Sequence, residues 1–254
     1  MTFITSVIDI IIEYYPSIFY GVKTTLLLAI PGTIVGIILG LLIGGLKSIQ
    51  IDKNAHITVK ISKKIYDIIA KIYIEVFRGT PMMVQAVFIY YLVYSNIYQW
   101  TPYQSGLFII SINTGAYMAE IIRGGIQSVD KGQIEAARSL GLNSWKTLLH
   151  IVLPQAIKNA FPAIGNEFIV NIKDSSVLSV ILVTDLMFQA KSISGSNFMI
   201  EESYFIIACV YLCLTLFTSV ILNSIEKKYN HKQTSFPQSD SNINSITLTT
   251  ERID

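Results

Sequence analysis

Residues 123–154, RGGIQSVDKGQIEAARSLGLNSWKTLLHIVLP, place Arg123, Lys131, Arg138 and Lys146 between flanks that are strongly apolar. Four basic residues exclude this stretch from a hydrocarbon layer, so it must be an aqueous loop between membrane-embedded segments. The flanks set the class: 52% of residues are hydrophobic and 14% charged, where a soluble domain carries about a quarter charged residues. The chain reads as an all-α polytopic membrane protein. Its loop has local order of its own. Gln133–Leu140 can form two helical turns, with Ile134, Ala137 and Leu140 on one side and Glu135, Arg138 and Ser139 on the other. Gly141 suits the left-handed residue that ends a helix. Asn143 or Ser144 can cap a second short helix carrying Trp145, Leu148, Leu149 and Val152. Pro154 fits the first turn of a third helix, where its missing N–H is not needed. Two turns of helix do not persist alone. The small residues Ala136, Ala137 and Gly141 leave room for a close partner.

The spacing of Glu135-Ala136-Ala137, Gly141, Ile151, Leu153 and Pro154 resembles, without a gap, the EAA loop of bacterial ABC-importer membrane subunits. The segments FRGTP (Phe77–Pro81), AEIIRGGI (Ala119–Ile126) and NIKDSSVLSVI (Asn171–Ile181) resemble the polar-amino-acid subfamily of those permeases, and the likeness runs from about Gly21 to Lys228. Asp130 departs from it, since that subfamily usually has proline there; the departure bears on loop rigidity alone. The resemblance implies the type I ABC importer transmembrane fold in a bacterial cytoplasmic membrane. It further implies an ABC ATPase dimer gripping Gln133–Leu140, with ATP and Mg on that ATPase and no cofactor in this chain. A second permease subunit (the same chain or a sister chain), an extracytoplasmic solute-binding protein and a small amino-acid substrate complete the implied assembly. Nucleic acid has no place in it.

Along the chain, Met1–Tyr20 reads as an amphipathic segment lying on the membrane surface, with Asp9 and Glu13 opposite its isoleucines. About five spans follow, over residues 22–46, 72–94, 105–122, 154–172 and 204–225. In the first, Gly32, Gly36, Gly40 and Gly44 form a strip that suits close helix approach, and with it subunit pairing. Gly40, Gly45, Lys47 and Ser48 almost form a phosphate-binding loop, but the lysine is one place too far and no strand precedes it. Six lysines populate the connector Lys47–Lys71, whose second half, Ile61–Ile72, is amphipathic. Pro81 should kink the second span; Arg78 beside it must face protein or water. Ser175–Phe188 is too short to span and reads as one outer-face or re-entrant helix. Cys209 and Cys213 share a helix face suited to packing, and His56, His150 and His231 are too scattered for a metal site. Residues 229–254 form a polar tail with little to bury.

Lysine and arginine concentrate in the first connector, the central loop and the tail, which predicts an N-terminus outside and a C-terminus in the cytoplasm. The fourth span is the most polar, so it must be sheltered or line a water-filled path. Glu120, Asn166, Glu167 and Asn171 are candidates to meet a zwitterion's charged groups in that path. Lys173 and Asp174, at its outer end, are candidates for a gate. A secondary transporter or channel would keep the spans and the polar helix, but has no use for the EAA spacing. A membrane-embedded enzyme lacks its motifs: there is no HExxH and no GxSxG.

Overall fold

The computed structural model describes residues 2–49, 51 and 55–230, and among these the chain is almost wholly helical, without a strand. Its first element, α1 (Phe3–Ser48), is one uninterrupted helix of 46 residues. At 1.5 Å per residue it extends about 69 Å, more than twice the roughly 30 Å of a bilayer's hydrocarbon. The surface segment expected over 1–20 and the span over 22–46 are therefore one rod. Protein contacts explain the difference. Ile10 is buried against Ile193 and Ile206, and Phe3 meets Phe205 edge to face at 5.5 Å, so the first turns are held by the bundle rather than by lipid alone.

The expected span over 72–94 is also reshaped. Helices α2 (Ile57–Gly79) and α3 (Met82–Asn96) are bent by 112° at Thr80–Pro81, far beyond a proline kink. Pro81 is the residue that would have donated to the Phe77 carbonyl. In its place the Gln85 amide donates to the carbonyls of Phe77 and Thr80, at 3.0 Å each, and to Thr80 Oγ1 at 2.7 Å. Asn113, on the next helix, donates to Phe77 O at 3.2 Å and to Gln85 Oε1 at 2.9 Å. Inside a membrane a broken helix survives only when its freed backbone groups find partners in this way.

Helix α4 (Pro102–Gln127) is the centre of the bundle. It starts with a capping box between Thr101 and Gln104, and Ile109, Ile110, Met118 and Ile122 along it have no exposure. The glycine strip of α1 lies directly on it. A Cβ at Gly36 would stand 2.6 Å from the Thr114 methyl, and one at Gly44 would stand 2.5 Å from the Ala119 carbonyl oxygen. The strip is thus used within the subunit, not left open for a second one.

The loop after α4 carries α5 (Lys131–Ser139), α6 (Ser144–Thr147) and a π-turn (Leu148–Val152), which leads into α7 (Leu153–Asp174). The region expected as one helix over 175–188 is a 3₁₀ turn (Ser175–Ile181) followed by α8 (Leu186–Asn197), with Leu182 left-handed (φ 66°) between them. That break is tied down as well. Asp185 accepts from Phe188 N at 3.0 Å and from the Tyr211 hydroxyl at 3.2 Å, while Leu186 N donates to Thr25 Oγ1 on α1 at 3.3 Å. Tyr211 belongs to α9 (Ile200–Asn230), whose Cys209 and Cys213 are exposed rather than packed: α9 presents Val210, Tyr211 and Leu214 to the bundle instead. Among the described residues three helices are long and apolar enough to cross a membrane singly, and the total reaches five if each bent pair counts as one span. The polar tail, from His231 onward, lies outside the described residues.

Candidate functional site

The central loop is built from short-range caps. Asp130 accepts from Gly132 N at 2.8 Å, so the residue that departs from the family pattern supplies an N-cap. At the other end of α5, Gly141 has φ +78°; its N–H donates to Arg138 O at 2.9 Å, and Leu142 N–H donates to Ala137 O at 3.1 Å. That pair of bonds is a Schellman closure, which satisfies the last carbonyls of the helix. Asn143 then caps α6 by accepting from Lys146 N at 2.8 Å. After the five-residue π-turn, Pro154 enters as the second residue of α7, and that turn occupies the stretch whose regular bonding the proline would interrupt.

Packing fixes which way α5 faces. Ala137 is buried and Ile134 half-buried, above a cluster of Val129, Leu148, Val152 and Ala156. Glu135, Ala136 and Ser139 are exposed. Leu140, expected on the inner side with Ile134 and Ala137, is instead 82% exposed because the chain is already turning toward Gly141. The small residues accordingly divide: Ala137 faces its own subunit and Ala136 faces away. Trp145 and Leu149 on the following turn are exposed too, so an apolar margin borders the outer face of α5. Ile151 and Leu153 are half-buried at the junction with α7, where Pro154 is exposed.

Two of the four path candidates are already engaged. Glu120 forms a fork with Arg123, whose Nη2 lies 2.6 Å from Oε2, and it also lies 3.8 Å from Lys47 and 3.9 Å from Arg78. Three cations surround this carboxylate, so it stands as the hub of an ion cluster joining α1, α2 and α4, not as an open acceptor for an ammonium group. Asn171 is buried, with both amide atoms used: Nδ2 donates to Thr33 Oγ1 at 2.8 Å and Oδ1 accepts from Thr114 Oγ1 at 3.0 Å. It bolts α7 to α1 and α4.

Glu167 and Asn166 remain accessible, half-buried and exposed respectively. Glu167 and Asp174 lie seven residues apart on one face of α7, and Arg78 is the cation within electrostatic reach of Glu167. Lys173 is exposed, and its neighbour Asp174 is half-buried. The Arg78 guanidinium lies 5.4 Å from the centre of the Tyr117 ring. Arg78 and Tyr117 were not among the path candidates in the sequence. An arginine inside an apolar run was the available signal for Arg78, but nothing local placed Tyr117 and Glu120 beside it.

A bundle of bent helices with buried polar bolts, carrying a small capped helix on an aqueous loop, defines an integral-membrane transport subunit. Residues 56–231 match the family of binding-protein-dependent transport system inner membrane components, and the chain belongs to that family. It is similar to the glutamine transport system permease protein GlnP of Escherichia coli K12, with 36% identity over 215 residues, covering 84% of this chain and 93% of that protein. The putative glutamine transport system permease protein GlnP of Rickettsia typhi is 36% identical over 220 residues, covering 86% and 96%. A crystal structure of an amino acid ABC transporter with histidines superposes with a TM-score of 0.76 at 38% identity, covering 90% of this chain and 99% of that one. The methionine ABC transporter MetNI, in an inward-facing conformation, superposes with a TM-score of 0.73 at 15% identity and shares the fold. The ABC-importer permease recognised from the EAA loop, its type I fold and its place in the inner membrane are established by these matches.

Proposed function

We propose that this chain is the translocating subunit of an ATP-driven importer of a polar amino acid, working by alternating access. The observation that carries the reading is the orientation of α5. A helix of nine residues is held from behind by Ala137 and closed at both ends by its own caps, and it offers Glu135, Ala136, Ser139 and Leu140 outward. A separate ABC ATPase dimer, carrying ATP and Mg, would grip that face and transmit its closure through Pro154 into α7. A second permease subunit, identical or a sister chain, would complete the path, and an extracytoplasmic binding protein would deliver the cargo. The lysine distribution supports α5 on the cytoplasmic side and Lys173-Asp174 toward the outside.

Relatives named for glutamine support an amino acid as cargo. Arg78, at the partly exposed edge of the Glu120 cluster, can receive a carboxylate, and Glu167 with Asp174 on α7 an ammonium. The test is uptake into vesicles holding this chain with its ATPase, supplied with loaded binding protein. Uptake of glutamine or a related amino acid that needs both ATP and the binding protein supports the reading. Equal uptake driven by an ion gradient through this chain alone would replace it with a secondary transporter.

A further inference from the structure

Glu120 holds three cations at unequal distances, and the most distant of them comes from another helix. Arg123, one turn further along α4, donates from Nε at 3.1 and 3.0 Å and from Nη2 at 2.6 Å. Lys47 at the end of α1 stands 3.8 Å away, and Arg78 at the end of α2 stands 3.9 Å away. Among the described residues the Arg78 contact is the one ion pair that joins α2 to α4. At 3.9 Å it lies beyond hydrogen-bond reach, and an ion pair of that kind on a part-exposed arginine is weak.

The backbone of Arg78 is pinned. The carbonyl of Phe77, just before it, accepts from the Gln85 amide at 3.0 Å and from the Asn113 amide at 3.2 Å. The guanidinium lies over the Tyr117 ring, 5.4 Å from its centre. Its N–H groups make no hydrogen bond among the described residues, and Arg78 borders a cleft of about 340 Å³ with Glu120, Arg123 and Lys47. Glu75, which also lines this cleft, is paired with Lys71 at 3.6 Å. A carboxylate entering the cleft would close to about 2.8 Å on two guanidinium N–H groups, a far better contact than the one Glu120 makes. Glu120 can release Arg78 because it keeps Arg123 and Lys47.

We propose that Glu120 competes with the carboxylate of the cargo for Arg78, so that cargo binding unties α2 from α4. This exchange rests on the reading of Arg78 as the group that receives that carboxylate. Its consequence reaches the docking helix. Lys47 and Arg123 also line a cleft of about 700 Å³ bordered by Ile134 and Glu135 of α5. A Glu120 relieved of Arg78 binds those two cations more closely, which carries the arrival of cargo to the wall of that cleft.

The test is L-glutamine binding, by calorimetry, to the full chain purified with its ATPase. Arg78→Gln should weaken binding at least about tenfold, through loss of charge-assisted hydrogen bonds. Glu120→Gln should strengthen it about threefold, the scale of a part-exposed ion pair released. Arg123→Gln leaves Glu120 more tightly on Arg78 and should weaken binding about threefold. Adding Glu120→Gln to Arg123→Gln should restore the gain, whereas a merely structural cluster would weaken binding in every variant. L-Glutaminamide, which lacks the carboxylate, should bind Glu120→Gln and the parent alike. Equal or weaker glutamine binding by Glu120→Gln, with Arg78→Gln weakened, overturns the competition and leaves Arg78 as the carboxylate receiver. Arg78→Gln at the parent's affinity, or a parent that binds no glutamine, overturns that reading of Arg78 and the competition with it. Should Glu120→Gln fail to fold, Arg123→Gln decides alone, and unchanged or tighter binding by it overturns the competition.

Discussion

Asn171 donates to Thr33 Oγ1 at 2.8 Å across 138 residues of sequence, fastening α7 to α1 in the interior of the bundle. The same side chain accepts from Thr114 on α4 at 3.0 Å. Asn171→Leu removes both bonds and leaves two buried hydroxyls, at a cost of about 1–3 kcal/mol. The expected result is a lower melting temperature in detergent, with Asn166→Leu, on the exposed side of α7, close to the parent. A stable Asn171→Leu protein that fails only in uptake would return Asn171 to the substrate path.

The bend at Pro81 predicts a second dependence. Gln85→Leu leaves the Phe77 and Thr80 carbonyls without the amide that replaces the missing helical donors, and Asn113 reaches only Phe77. Each unsatisfied group costs about 1–3 kcal/mol. Proteolysis between α2 and α3 should become faster in Gln85→Leu, and Gln85→Glu should rescue poorly because a carboxylate accepts but does not donate. Cleavage at the parent rate would mean that the bend is held by other contacts.

Gly44→Ala tests whether the glycine strip serves the subunit or an interface between subunits. The added methyl would meet the Ala119 carbonyl oxygen at 2.5 Å, so α1 and α4 must separate. Overpacking of this kind costs about 1–3 kcal/mol. Monomer and assembled protein should therefore lose thermal stability together. A stable monomer that no longer assembles would instead place the strip at a subunit interface.

What could be read from the sequence divides by range. Gly141, Asn143 and Pro154 announced their roles because caps and turn closures involve residues within a few positions of one another. The helical character of nearly every segment was legible for the same reason. Partnerships across the bundle were not. Nothing near Glu120 in the chain signals Lys47 and Arg78, and nothing near Asn171 signals Thr33. Polar residues that look like a substrate path in one dimension can be bolts in three. Pro81 marked the place of a bend, but its size depends on Gln85 and Asn113 donating to the freed carbonyls. The length of α1 was obscured by Asp9 and Glu13, which suggested a surface helix until α8 and α9 supplied a protein wall.

The lysine asymmetry predicts a sidedness that labelling can check. Asn143→Cys, in a background with Cys209→Ser and Cys213→Ser, should react with a membrane-impermeant maleimide only after cells are opened. Ser192→Cys, exposed on α8, should react in intact cells. The reverse pattern would overturn the orientation and, with it, any docking of α5 on a cytoplasmic ATPase.

Coupling through α5 can be separated from its stability because the two small residues face opposite ways. Ala137 is buried against the subunit's own loop, so Ala137→Glu would bury an unpaired charge and damage the loop itself. Ala136 is exposed, and Ala136→Glu should leave the isolated subunit as stable as the parent while obstructing a close partner. Gly141→Ala is subtler. An added Cβ there meets nothing within 4 Å, so its effect is confined to the backbone at φ +78°. Holding an alanine in that conformation costs about 1–2 kcal/mol, enough to loosen the Schellman closure and tilt the end of α5. Co-purification of the ATPase and its stimulation by loaded binding protein are the measurements. Ala136→Glu should abolish co-purification. Gly141→Ala should retain binding but lower stimulation several-fold, and Ser139→Ala should match the parent. If Ala136→Glu and Gly141→Ala both keep full recruitment and stimulation, α5 is not the element through which ATP hydrolysis reaches the path.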